Sequence, residues 1–127
     1  MAVRFSIVSL LAAASLYGCY SAEPIAGAWS AKFERVSGIV YSWMFAPSGA
    51  FEAHMVVGKV RSDQWGTYAL KGAALTLAVT KNENTRSNGS VHELKPYTET
   101  LAIAFSDDDH FSALEAHDNE QLLFTRK

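Results

Sequence analysis

Residues Trp65 to Val79, W-G-T-Y-A-L-K-G-A-A-L-T-L-A-V, constrain this chain more than any other stretch. Tyr68 and Leu70 alternate with Thr67 and Ala69, Lys71-Gly72 interrupts the run, and Leu75, Leu77 and Val79 alternate again at once. A period of two on both sides of a residue that tolerates positive φ predicts a β-hairpin with one face toward a core. A helix across the same residues would hold Gly66 and Gly72 in its interior, at about 1 kcal/mol each, and would scatter the five apolar side chains around its circumference. Tyr68 and Leu70 are therefore expected inside, level with Leu75, Leu77 and Val79. Trp65, on the other phase, is expected at the rim.

The remaining chain repeats that pattern. Gly27 to Glu34 alternates through Trp29, Ala31 and Phe33, with Trp29 expected to plug one end of a sheet. Ile39 to Phe45 is β-branched and aromatic, and Pro47 to Gly49 turns it into Phe51 to Val60. Lys59 to Gln64 is expected to be a loop. So is the polar run Lys81 to Ser90, although Asn88-Gly89 is a hairpin signal and Asn82 to Arg86 can extend the strands as a solvated ribbon. Val91 to Leu94, Tyr97 to Phe105, His110 to Ala116 and Gln121 to Lys127 complete eight or nine short strands with tight connections. Tyr97, Glu99, Leu101, Ile103 and Phe105 share a phase, which sets Glu99 near a mouth or an edge.

No stretch of the region after the leader asks to be helix. The expected fold class is all-β, a small antiparallel up-and-down barrel of about eight strands, since closure removes exposed edges; an open sandwich is the competing architecture. Eight strands enclose either a side-chain-filled interior or room for one small ligand.

The first residues read as an address. Met1 to Gly18 carries Arg4 as its only charge and an apolar core from Phe5 to Leu16, shorter than the ~20 residues of a comfortable membrane span. Leu16-Tyr17-Gly18-Cys19 resembles a bacterial lipobox, with Tyr17 departing from the usual small or aliphatic residue. The expected organisation is a lipoprotein signal peptide over 1–18, a lipidated tether over 19–26 beginning at Cys19, and a barrel domain over 27–127; plain secretion is the alternative. Tyr20 after the cysteine, in place of Asp, implies by that resemblance the periplasmic face of the outer membrane, with contact to the membrane through the lipid anchor alone. Cys19 is the one cysteine, so the core must hold without disulfides.

Loss of residues 1–18 leaves ten Lys and Arg against thirteen Asp and Glu. Mild acidity without a basic cluster argues against a nucleic-acid partner. His54, His92, His110 and His117 lack the spacing of a compact metal site, and Asp107 to Asp109 lack the alternating donors of a calcium loop. No serine sits in a nucleophile elbow and no glycine-rich phosphate cradle occurs, so neither a cofactor nor an enzymatic activity is expected.

Gly27-x-Trp29, Trp43-Met44-Phe45, Ser48-Gly49-Ala50-Phe51, Gly66-Thr67-Tyr68, Leu75-Thr76-Leu77 and the closing Leu122 to Arg126 stand in the order found in small lipocalin-like, calycin-type domains of bacterial lipoproteins, which this chain resembles. Members of the wider lipocalin family are usually longer and carry a helix before the last strand, for which Ser112 to Glu120 leaves little room. The resemblance implies a non-enzymatic envelope lipoprotein whose barrel binds a small hydrophobic ligand, with Tyr41, Trp43, Phe51, Tyr68, Leu77 and Leu101 as the expected wall. The alternative is a protein-interaction module, such as a periplasmic inhibitor, immunity or envelope accessory protein, meeting its partner through Trp65, Arg61 and Arg86.

Overall fold

The computed structural model describes residues 24–115 and 119–127. The expected signal peptide, Cys19 and His117 lie outside the described residues. Nine strands form one antiparallel sheet: β1 (Gly27–Phe33), β2 (Ile39–Phe45), β3 (Ala50–Val57), β4 (Val60–Lys71), β5 (Ala74–Thr85), β6 (Val91–Leu94), β7 (Tyr97–Asp107), β8 (His110–Glu115) and β9 (Gln121–Arg126). Sequential neighbours pair from β1 to β5, β7 to β9 continue the order, and β9 returns to β1, which closes an eight-stranded up-and-down barrel. The ninth strand, β6, prolongs the line of β7. The first half of β5 pairs with β7 from Ala74↔Ala102 to Val79↔Tyr97, and its second half pairs with β6 from Asn82↔Leu94 to Thr85↔Val91. Lys95-Pro96 separates the two partners, as suits a proline that cannot donate to a ladder.

The opening hairpin has the expected register, with Tyr68 opposite Leu77 and Leu70 opposite Leu75 around a two-residue turn. Gly72 takes φ +62° in that turn. One expected loop is a strand instead, and in the other the ribbon that Asn82 to Arg86 could form is present over Asn82 to Thr85. Lys59 to Gln64 is mostly the first part of β4, because Arg61 and Asp63 point outward and pair with each other there. Lys81 to Thr85 continues β5, since its polar side chains alternate between solvent and a polar upper interior where Asn82 is buried. A long polar run can be strand when both faces of that part of the wall are polar.

A β-bulge joins the halves of β5. Trp65 pairs with Lys81 while Gly66 pairs with Val79, so Thr80 is the extra residue, and its Oγ1 donates to the Trp65 carbonyl over 3.2 Å. Gly66 is required at this point: a Cβ would collide with the Ala78 carbonyl and press on the Phe51 ring. Trp65 consequently sits on the outer wall beside the bulge, half-buried, and not at the rim.

One end of the barrel is filled. Trp29 is wholly buried and donates its indole N–H to Ile25 O over 2.8 Å, and the Arg126 guanidinium covers its ring at 4.2 Å. Phe111 meets Trp29 edge-on at 4.7 Å and stacks on Phe124 at 4.3 Å. Phe45 meets Tyr68 edge-on at 5.0 Å, and the Tyr68 hydroxyl donates to Ala46 O over 2.7 Å. Each of these fully buried aromatic side chains contributes on the order of 2–3 kcal/mol by area, which is how a domain of this size holds without disulfides.

Candidate functional site

The opposite end of the barrel is not filled. Inward side chains there leave a cavity of about 280 Å³, walled by Phe33, Tyr41 and Trp43 on one side and by Leu101, Ala113 and Leu122 on the other. Tyr97, Glu99, Glu115 and Glu120 complete the lining. At roughly 30 Å³ per water the space equals about nine waters, or one ligand of about ten non-hydrogen atoms.

Register explains the placement. β2 and β3 set Tyr41 opposite Met55, and β1 sets Ala31 opposite Tyr41, so the first aromatic wall rises directly above the packed end. Tyr41 and Trp43 lie 5.0 Å apart between ring centroids, and Phe33 is 6.0 Å from Tyr41. Across the barrel, Leu101 pairs with Glu115 and Ala113 pairs with Ile103 and Leu122, which aligns the small and apolar floor with carboxylates one step higher.

The electrostatics of the mouth are one-sided. Among the described residues no lysine or arginine lines the cavity. Burial first, then the negative charges of a Tyr97 phenolate, Glu99 and Glu115, raise the Tyr41 phenol far above its ordinary range. Burial and Glu99 likewise raise Tyr97, against a Gln64 amide that donates to its hydroxyl over 2.9 Å. Both phenols therefore stay neutral donors at any physiological pH. Trp43 is 4% exposed, and its indole N–H has no acceptor among the described residues. A buried N–H without an acceptor costs about 1–3 kcal/mol, and this one is closed off from the open space of the cavity, so it is a cost of packing.

Of the six expected wall residues, the structure brings Tyr41, Trp43 and Leu101 together on the cavity. Phe51, Tyr68 and Leu77 lie in the packed interior and do not line this cavity. The sequence wall was drawn from aromatic density in the first half of the chain, which does not tell the filled end from the open one. Phe33, Tyr97, Ala113, Glu115, Glu120 and Leu122 were missed, and Glu99 was placed near a mouth but not in the wall. A usable signal was present: Glu99 and Glu115 each share the phase of core residues on their strands, and a carboxylate on an inward phase belongs at a mouth.

The expected contact residues fall on the outside. Arg61 and Trp65 share a shallow outer depression with His54, Asp63 and Glu83, whereas Arg86 stands in the exposed β5–β6 turn. The His54 ring joins Glu52 through Nε2 at 2.8 Å and Asp63 through Nδ1 at 2.6 Å, and Arg61 Nε donates to Asp63 Oδ2 over 3.0 Å. Lys81 Nζ sits 5.3 Å from the Trp65 ring. At the other end His110 Nδ1 meets Asp107 Oδ1 at 2.8 Å, a solvent-facing turn pair. Among the described residues no three His, Cys, Asp or Glu side chains converge as metal ligands would.

No protein-family model and no curated protein sequence matches the chain. The closed eight-stranded barrel is compatible with a lipocalin-like fold.

Proposed function

We propose that this protein is a non-enzymatic, lipid-anchored envelope protein of lipocalin-like architecture that binds one small, largely apolar ligand in the open end of its barrel. The carrying observation is the cavity of about 280 Å³ with aromatic and aliphatic walls above a tightly packed base. An unfilled volume of that size sacrifices contacts that the same strands make fully at the other end, and pockets with apolar walls and a few polar groups are the usual form of small-molecule sites.

The position of the chain entry supports the anchor. Arg126 holds the Pro24 and Ala26 carbonyls at the packed end, at 3.1 and 2.8 Å, so a lipid on Cys19 would tether that end and leave the cavity facing away from the membrane. Lipidation at Cys19, the outer-membrane address and the absence of catalysis are parts of this reading.

The test is direct. Trp43 forms part of the cavity wall, so binding of small neutral aromatics is expected to change its fluorescence, and Ala113→Leu, which fills the cavity, is expected to weaken that binding at least tenfold without lowering secondary-structure content. Unchanged binding in Ala113→Leu removes the cavity as the site. Mass measurement of the mature N-terminus reads the anchor, with Cys19→Ser expected to release the protein from membranes.

A second reading, a protein-interaction module, is favoured by a separate feature. Val40, Met44 and Val56 are exposed on the outer wall of β2 and β3, next to the Arg61 and Trp65 depression. Loss of partner capture after Val56→Lys with ligand binding intact would move the assignment to that face.

A further inference from the structure

We infer that the ligand of this cavity is a small organic cation, an amine that carries an apolar body; the inference rests on the cavity being a ligand site. Two features of the lining meet in that one chemistry.

Charge comes first. Glu99, Glu115 and Glu120 line the cavity, and among the described residues no lysine or arginine does and Glu99 has no ion-pair partner. Glu99 and Glu115, inward on the neighbouring strands β7 and β8, and Glu120 beside them bring like charges to one barrel mouth, which a bound cation would relieve. These carboxylates share that lining with the Tyr41 and Tyr97 phenols. Anionic ligands, fatty acids included, meet the wrong sign here.

The rings supply the second feature. Phe33, Tyr41 and Trp43 form a continuous aromatic wall, with centroids 6.0 and 5.0 Å apart in sequence. Their faces favour either an apolar ring or an ammonium, and a cation that is close to both rings and carboxylates gains from each. Together with the volume, these features describe an arylalkylamine of about ten non-hydrogen atoms.

Three probes with one ring and different charge test this: tyramine, neutral 4-ethylphenol and anionic 4-hydroxyphenylacetate. They are titrated calorimetrically against the protein as matured in a bacterial host, at neutral pH and low salt. Tyramine is expected to bind at least about tenfold more tightly than 4-ethylphenol, the scale of a desolvated charge-assisted contact. The anion is expected to bind more weakly than the neutral probe. Glu99→Gln is expected to bring the tyramine to 4-ethylphenol ratio toward one, a quantity that compares two ligands on the same sample and so does not depend on its folded fraction. Equal binding of tyramine and 4-ethylphenol, or preference for the anion, overturns the cationic ligand and leaves the cavity as an apolar site. A tyramine preference that survives in Glu99→Gln overturns the role of Glu99. No heat with any of the three removes the ligand-binding reading itself, and the inference with it.

Discussion

Arg126 is the side chain through which the packed end of the barrel is closed, and replacing it with methionine tests that closure. Its guanidinium covers the Trp29 ring at 4.2 Å, and its N–H groups donate to Ala26 O at 2.8 Å, Pro24 O at 3.1 Å and Asp108 O at 3.0 and 3.2 Å. The bond to Ala26 is part-buried and charge-assisted, which is worth about 1.5–3 kcal/mol. The exposed bonds to Pro24 and Asp108 are exchanged for water at a cost of about 0.5 kcal/mol each, and the surface pair with Asp109 at 3.3 Å adds little. Cover of a fully buried indole by a cation adds about 1 kcal/mol. Methionine keeps an apolar stem of similar length over Trp29, so packing is largely retained. Allowing for non-additivity within one side chain, Arg126→Met should lose about 3 kcal/mol, or roughly 12–24 °C in Tm for a domain of about a hundred residues. Arg126→Lys keeps the charge but not the planar fork, and should lose about half as much. Urea denaturation followed by Trp fluorescence gives both values. A loss below about 1 kcal/mol in Arg126→Met, or an equal loss in both variants, would refute the closure argument.

Two further outcomes follow from local geometry. Gly66→Ala has no positive φ to lose and would by chain entropy gain up to about 1 kcal/mol, yet its Cβ meets the Ala78 carbonyl, so a loss of about 3 kcal/mol or more in urea is expected; a neutral or stabilised variant would show that the bulge can relax. His54 is raised above its ordinary 6.5 chiefly by its hydrogen bond to Glu52 and then by that to Asp63, with partial burial opposing. A raised folded value stabilises fully below about 6.5 and is lost as pH rises through the higher folded value. Asp63 is opposed by its burial but held below 3.8 by His54 and Arg61, so its contribution is present above 3.8 and lost in more acidic solution. Tm should therefore be level between about pH 4 and 6.5 and fall above it. The fall above pH 6.5 should be smaller in His54→Gln, and an identical slope in the variant would assign it to other groups.

The strands were legible because each needs only a local pattern. Ile39 to Phe45 and Val91 to Leu94 were bounded correctly, since turn residues flank a period-two run in both. Val60 to Gln64 was not legible as a strand, and Lys81 to Thr85 was legible only as a ribbon that an expected loop could form. Their residues are polar on both phases, and the pairing Asp63↔Glu83 that makes them strands joins positions twenty residues apart. Which end of the barrel is hollow was equally hidden, because it depends on whether inward side chains from several strands meet at one level.

By itself, then, the sequence determined the class of the molecule: alternation set inner and outer faces, Gly72 and Pro96 set turns and breaks, and the aromatic inner phases required an all-β core without staples. Those are properties of neighbours along the chain, where sterics and hydrophobic periodicity act within a few residues. Only the tertiary structure decided that Tyr41 and Trp43 face Glu99 and Glu115 across an open volume while Phe51, Tyr68 and Leu77 lie in the packed interior. The closure of β9 onto β1 and the bulge at Thr80 fix the level of every inward side chain, and a cavity is a property of levels summed around the whole barrel.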